Sequence, residues 1–214
     1  MSSYPAEHWL KKIRDYSEKE WAHMPTPFSK DVLKYIGKNS RILELGTGTG
    51  QDAIWFSSQG MNVTATDAQD TFFSAIEEKA NNQKLTLALK IQNVTDTFDF
   101  KDNEFDLVYA HLVIHYFDDD EMTQIVTEIQ RVLKPNGIVA VLVNSTKDPE
   151  YSSELATNGI ITNGNVKKRY FSVETLEQQF GNFTTLLLDD KGNTVKDDLI
   201  GNGGLIRYIG RSNG

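Results

Sequence analysis

Short apolar segments alternate with longer amphipathic ones over residues 41–144, and this alternation constrains the fold more than any other feature of the chain. The apolar segments have the length of strands, and the amphipathic ones have the length of helices. A strand, a helix and a second parallel strand form a βαβ unit, and repeated units build a parallel sheet covered by helices. We predict strands at 41–45, 62–66, 85–92, 105–110 and 138–144, and helices at 51–59, 71–82 and 119–133.

The flanking segments complete this prediction. Apolar and aromatic residues over 4–36, interrupted by Pro25 and Pro27, indicate two short helices, so we interpret residues 1–37 as a helical cap segment. A polar excursion over the sheet edge is expected at 144–168, followed by a helix at 172–180 and strands at 183–188 and 205–209. The chain therefore predicts a single α/β domain over residues 1–214.

Composition excludes several classes of partner. A formal net charge of -8 argues against binding to nucleic acid or an anionic membrane, and the one basic cluster, Lys167-Lys168-Arg169, is too small to change that. With no cysteine, the chain has no disulfides, thiolate metal ligands or Cys nucleophiles. No segment has the length of a membrane span and the N-terminus lacks an apolar leader, so we expect a cytoplasmic location.

The most informative segment is a strand that runs into three glycines, Gly46, Gly48 and Gly50. Glycines there let the backbone turn tightly and let a ligand approach the peptide groups, while the next helix offers free N–H donors. A dinucleotide fingerprint needs its third glycine at position 51, which is Gln51. Asp67 ends the second strand about twenty residues beyond the loop, where a carboxylate can accept both hydroxyls of a ribose.

Four motifs in this order resemble those of the class I S-adenosylmethionine-dependent methyltransferases. They are Glu44-Leu45-Gly46-Thr47-Gly48-Thr49-Gly50, the second-strand Asp67, Phe105-Asp106-Leu107-Val108, and Arg131-Val132-Leu133-Lys134-Pro135-Asn136-Gly137. Asn136 stands where the family usually has glycine. The resemblance implies a Rossmann-like, doubly wound, mostly parallel seven-stranded sheet with an antiparallel last strand and helices on both faces.

The resemblance also implies S-adenosylmethionine as cofactor and a set of residues that bind it. Glu44 is expected near the methionine end, the backbone of Ala110 near its ammonium, Asp67 at the ribose, and Asn93 with the Val94 N–H at the adenine. The full predicted cofactor set is Glu44, Gly46, Thr47, Gly48, Gly50, Asp67, Ala68, Asn93, Val94 and Ala110.

The methyl acceptor is expected beside the segment that follows the fourth strand. His115 is our predicted catalytic base or acceptor-positioning group, because an imidazole titrates near neutral pH, although a buried structural histidine is an equal alternative. The predicted substrate pocket adds Tyr16, His111, Tyr116 and Tyr170. A zinc site at His111 and His115 is disfavoured, because the acidic run that follows them has a simpler role as the start of the next helix.

These features predict a methyltransferase that acts on a small-molecule acceptor by in-line displacement, as a monomer or homodimer and without metal. Two alternatives remain open at this point. One is a protein that binds the cofactor without catalysis, and the other, which Gln51 disfavours, is a nucleotide-dependent oxidoreductase.

Overall fold

A central seven-stranded sheet organises the chain in the computed structural model, which describes residues 6–164, 166–194 and 204–213. Its strand order is β3-β2-β1-β4-β5-β9-β8. The first five strands are parallel to one another, and the last strand is antiparallel to both of its neighbours. The strands of this sheet are β1 (Arg41–Leu45), β2 (Asn62–Asp67), β3 (Ala88–Ile91), β4 (Phe105–His111), β5 (Leu133–Asn144), β8 (Phe183–Gly192) and β9 (Leu205–Ser212).

Helices lie on both faces of this sheet, because its strands carry apolar side chains on alternate sides. Leu43 and Val108 point to the face covered by two C-terminal helices, and Ile42 and Leu107 to the face covered by two helices from the first third of the chain. The predicted doubly wound architecture with an antiparallel last strand is confirmed. The helices are α1 (Ala6–Ser17), α2 (Pro27–Val32), α3 (Gln51–Ser58), α4 (Phe73–Asn82), α5 (Asp119–Val132) and α6 (Val173–Gln179).

The cap segment forms the two predicted helices and two short 3₁₀ turns, Glu20–His23 and Leu33–Tyr35. Thr26 caps α2 by accepting a hydrogen bond from the Ser29 N–H, and Pro27 occupies the first helical position, where no N–H is required. The side chains of Phe28 and Val32 then bury against the sheet.

Several predicted boundaries are wrong. Helix α5 ends at Val132 and β5 begins at Leu133, five residues earlier than expected, because Leu133 already pairs with Phe105. The carbonyls of Arg131 and Val132, which lack helical partners, accept instead from the N–H groups of Asn103 and Glu104. Strand β3 is shorter than predicted, and β8 and β9 are longer.

The excursion at 144–168 contains a hairpin that was not predicted. Strands β6 (Ile160–Asn163) and β7 (Val166–Arg169) pair with each other and not with the central sheet. No helix among the described residues is long and apolar enough to cross a bilayer.

Candidate functional site

The candidate site is a cavity of about 250 Å³ at the carboxyl ends of β1, β2 and β4. This is the edge at which open α/β sheets bind ligands. Its inner half consists of the glycine loop and of residues that follow β2 and β3, and its outer half consists of α1, the first 3₁₀ turn and the segment after β4.

The three loop glycines have different environments, although all adopt positive φ. A Cβ on Gly46 would lie 2.5 Å from Val113 Cγ2, whereas one on Gly48 would meet no heavy atom within 4 Å. Gly46, Thr47 and Gly48 line the cavity. Gly50 does not, and a Cβ there would lie 2.7 Å from Ile76, so this glycine permits the turn into α3 and its packing on α4.

Glu44 lies at the base of the cavity and is 4% exposed. Its Oε2 accepts a hydrogen bond of 2.8 Å from the Thr47 hydroxyl. Burial and the neighbouring charge of Asp52 raise the pKa of Glu44 well above its usual range. A cation bound beside it would reverse that effect.

Asp52 is a second buried carboxylate in the cavity wall, and it was not among the predicted site residues. It accepts three hydrogen bonds of 2.8 Å, from the Thr26 N–H, the Thr26 hydroxyl and the Tyr109 hydroxyl. Its position in the first turn of α3, directly after the glycine loop, was the available signal. Asp52 thereby joins the cap segment to the floor of the cavity.

Asp67 lines the cavity at the end of β2. Its Oδ2 accepts from the Gly48 N–H at 3.1 Å and its Oδ1 from the Gln69 N–H at 3.3 Å. Burial raises the pKa of Asp67, although the backbone donors act in the opposite direction. Each carboxylate oxygen keeps acceptor capacity, so the group can still bind a pair of hydroxyls.

Ala68, Asn93 and Val94 line the wall beyond Asp67, together with Gln92. The Gln92 side chain holds the loop after β3 in shape, since its Nε2 donates to the Asn93 carbonyl and its Oε1 accepts from the Asp99 N–H. Asn93 Oδ1 accepts from the Thr95 N–H within the same turn. These hydrogen bonds hold the backbone of this wall in one conformation, so its polar groups have fixed positions towards the cavity.

The outer half brings together three of the predicted substrate-pocket residues, Tyr16, His111 and Tyr116, with Trp9 and Trp21 of the cap segment. The rings of Trp9 and Tyr116 are 4.4 Å apart between centroids, and those of Tyr16 and Trp21 are 5.3 Å apart. The available signal for Trp9 and Trp21 was the run of aromatic residues in the segment that precedes the sheet.

Besides Gly50, three further predicted residues do not line this cavity. Ala110 lies inside the strand ladder, paired with Leu45 and Val141, and the following residues His111 and Leu112 reach the cavity instead. His115 is 1% exposed and contacts Tyr116 at 4.1 Å between ring centroids. Tyr170 lines a separate cavity of about 630 Å³, although its hydroxyl lies 3.4 Å from Glu150, which belongs to the first.

His111 and His115 do not share a helical face. His111 ends β4 and His115 lies in a 3₁₀ turn, Ile114–Tyr116, after a break in the chain direction at Leu112, which has a positive φ. Among the described residues there is no group of three or more potential metal ligands. The acidic run starts α5 as expected, with Asp118 and Glu121 forming a capping box.

Comparison with known proteins agrees with this geometry. Residues 43–141 match a family model described as a methyltransferase domain. The chain is 27% identical over 121 residues to a protein of Geobacillus sp. (strain WCH70) whose name gives it only as a candidate methyltransferase, a match that covers 56% of this chain and 49% of the relative. An uncharacterized methyltransferase of Synechocystis sp. is 28% identical over 107 residues, covering 50% of this chain and 48% of its own length.

Among solved structures, an N-methyltransferase of Burkholderia thailandensis, bound to 1,6-didemethyltoxoflavin and S-adenosylhomocysteine, superimposes with a TM-score of 0.76. It is 17% identical, and the match covers 98% of this chain and 85% of that one, so it establishes the fold. The curated relatives match this chain over about half of their length. The glycine loop and the acid at the end of β2 lie within the matched stretch, so residues 43–141 carry a methyltransferase domain, on a fold shared with S-adenosylmethionine-dependent methyltransferases.

Proposed function

We propose that this protein transfers a methyl group from S-adenosylmethionine to a small-molecule acceptor. One observation carries the proposal: a single cavity joins an acidic, glycine-lined half to an aromatic half. A methyl donor and its acceptor must meet at one point within such a cavity, since holding reactants together supplies much of the rate acceleration.

The inner half fits this cofactor chemically. Glu44, Asp52 and Asp67 line it, and they suit a ligand with a sulfonium, an ammonium and a ribose. Gln51 Oε1 is buried there and has no hydrogen-bond partner among the described residues. This oxygen can therefore accept a hydrogen bond from an N–H group of a ligand. Gly48 leaves open space beside its backbone, so a ligand can lie against the loop.

Each part of the cofactor then has a proposed partner. Asp67 binds the ribose hydroxyls, the Asn93–Val94 edge and Ala68 flank the adenine, and Glu44 and Asp52 stabilise the positive methionine end. When bound, the cofactor supplies an activated methyl group, whose carbon forms a bond to the acceptor atom as the carbon–sulfur bond breaks and its electron pair returns to sulfur.

The chain's own residues orient the acceptor and exclude water. Tyr16 and Tyr116 flank the cavity above the glycine loop, and desolvation favours a transfer in which positive charge is dispersed. Of the two histidines, His111 lines the cavity, so we assign to it the removal of a proton from a protonated acceptor. His115 acts as a positioning residue through its ring contact with Tyr116.

The small-molecule nature of the acceptor rests on two further points. The protein's own cap segment lines the outer half of the cavity, with Trp9, Tyr16 and Trp21 in its wall, which favours a compact acceptor over a polymer. The Burkholderia enzyme that shares the fold was solved with a small heterocyclic acceptor, and 98% of this chain is covered by that match.

A calorimetric titration with S-adenosylmethionine, S-adenosylhomocysteine and NADH tests the proposal. We expect saturable binding of the first two and none of NADH, because position 51 lacks the glycine that a dinucleotide site requires. Asp67→Ala should weaken binding of both sulfur ligands by about tenfold or more, the loss expected for a hydrogen-bonded charge. Binding of NADH alone would overturn the assignment.

Turnover assays with a labelled methyl donor and a panel of hydroxylated and amine acceptors distinguish an enzyme from a protein that only binds the cofactor. His111→Ala should bind S-adenosylhomocysteine normally and lose turnover of hydroxyl acceptors. Normal binding with no transfer to any acceptor would favour the non-catalytic alternative.

A further inference from the structure

The outer half of the cavity has an aromatic wall whose rings hold one another in place. Tyr116 is packed between His115 on one side and Trp9 on the other, with interplanar angles of 46° and 63°. Tyr16 and Trp21 form a second tilted pair at 57°. Rings fixed in this way present both faces and edges to a bound molecule. An aromatic ligand can stack in an offset arrangement on a face or make an edge-to-face contact.

Two lysines line the rim of this aromatic wall together with one carboxylate. Lys168 Nζ forms an ion pair of 2.8 Å with Glu150, and this partner lowers the pKa of the Glu150 carboxyl. Lys12 lies 5.7 Å from the Trp9 ring centroid and makes no ion pair within the part of the chain that the structure describes. The charge of Lys12 also lowers the pKa of Glu150, so the two lysines share one carboxylate and the rim carries one net positive charge.

The indole of Trp9 adds a hydrogen-bond donor to the same wall. Its Nε1 is buried and has no hydrogen-bond partner among the described residues. An unpaired buried donor is costly, and an acceptor atom brought in by a ligand would relieve that cost. Aromatic surface, an unpaired donor and an excess cation thus converge within a single turn of α1, at Trp9 and Lys12.

We propose that the methyl acceptor is a planar aromatic or heteroaromatic anion, whose ring lies against Trp9 and Tyr116 and whose carboxylate or equivalent group faces Lys12. This inference rests on the proposed function, because it assigns the substrate class of the same cavity. The opposite charge of the two halves also fixes the orientation of the acceptor. Its anionic end lies at the rim, and its nucleophilic atom faces the glycine loop.

The test uses the protein saturated with S-adenosylhomocysteine and two matched sets of probes. The one-ring set is hydroxybenzoate, hydroxybenzamide and hydroxycyclohexanecarboxylate, and the two-ring set is hydroxynaphthoate, hydroxynaphthamide and hydroxydecalincarboxylate. In at least one set, calorimetry should give the aromatic acid an affinity about tenfold higher than its saturated counterpart, for the ring contact, and a fewfold higher than its amide, for a charge contact with an exposed lysine.

Matched variants separate the two contacts. Lys12→Gln should abolish the difference between acid and amide, whereas Lys11→Gln, at an exposed neighbouring position outside the cavity, should preserve it. Trp9→Phe keeps a ring but loses the donor, so it should weaken by a fewfold whichever aromatic acid the unmodified protein binds, while Trp55→Phe, outside the cavity, should have no effect.

The proposal is overturned if saturated and aromatic acids bind equally, if the amides bind as well as the acids, or if no aromatic acid binds to protein that binds S-adenosylhomocysteine normally. Failure to bind S-adenosylhomocysteine itself would instead overturn the proposed function and the acceptor assignment with it.

Discussion

Glu44 is a buried carboxyl that costs stability in the free protein. Burial, followed by the charge of Asp52, raises its pKa, so the folded chain holds a proton that the unfolded chain has already lost. The free energy of unfolding therefore falls as pH rises through the unfolded pKa and levels off above the folded pKa. We expect Glu44→Gln to raise the Tm, by an amount that grows as pH rises above about 4, the unfolded pKa of a glutamate.

Scanning calorimetry of Glu44→Gln across that pH range checks this expectation. The same variant should bind S-adenosylmethionine about tenfold more weakly or worse, because it removes a charge that the cationic ligand needs. A Tm difference that stays constant with pH, or a variant that binds as tightly as the unmodified protein, would contradict this role for Glu44.

Gly48 and Gly50 provide a contrast between binding and packing. Both have positive φ, so alanine at either position costs about 1–2 kcal/mol of backbone strain. Gly50→Ala should lose about 1–3 kcal/mol more, because its Cβ would overlap Ile76, while Gly48→Ala faces open space. Denaturant unfolding should rank Gly50→Ala as the less stable, and titration should rank Gly48→Ala as the weaker S-adenosylhomocysteine binder.

For individual site residues, the sequence predicts those whose position follows from one strand and one turn. Glu44, Gly48 and Asp67 line the cavity as expected, because a βα loop and the end of the next strand always meet at one sheet edge. Asp52, Trp9 and Lys12 depend on how the cap segment folds back, a long-range contact that local pattern does not encode. The burial of His115 was equally beyond local pattern, because it follows a turn of the chain at Leu112, which has a positive φ.

A buried polar contact at the start of α2 helps to hold the cap segment to the core. Thr26 donates to Asp52 through both its N–H and its hydroxyl and also caps the helix. Thr26→Val removes the hydroxyl at nearly constant shape, so we expect a loss of about 1–3 kcal/mol in the free energy of unfolding. Tryptic cleavage at Lys11, Lys12 or Arg14 in α1 should become faster.

The matched control for Thr26→Val is Thr123→Val, which removes a hydroxyl bonded to the exposed Asp119 carbonyl on α5. We expect that change to cost less than about 0.5 kcal/mol. If both valine variants lose the same stability, or if cleavage in α1 does not change, the contact between Thr26 and Asp52 does not anchor the cap segment.

Among the elements, strongly periodic segments agreed with prediction, whereas several boundaries did not. Helix α5 was recognised from its apolar stripe and acidic start, yet its end was set by the pairing of Leu133 with Phe105 from a distant part of the chain. The hairpin of β6 and β7 lacks a strong alternating pattern, since Lys167 and Lys168 occupy successive positions. Its strands are specified by pairing with each other and not by their own sequences.

For the whole molecule, we propose that the cap segment and the sheet unfold together as one domain. Trp9 and Trp21 report on the cap, while Trp55 in α3 reports on the core, so one fluorescence signal samples both regions. Denaturant curves from fluorescence and from far-ultraviolet circular dichroism should coincide, as expected for a two-state domain. An earlier fluorescence transition that disappears in a Trp9→Phe, Trp21→Phe double variant would indicate a cap that unfolds on its own.

The central claim is that one cavity holds the cofactor in its acidic half and the acceptor in its aromatic half. A crystal structure with S-adenosylhomocysteine at saturating concentration tests it most directly. We expect the ribose hydroxyls within hydrogen-bond distance of Asp67, the adenine beside Asn93 and Val94, and the sulfur facing Tyr16 and Tyr116. Density for the ligand in the second cavity beside Tyr151 and Tyr170, or none at the glycine loop, would contradict the account.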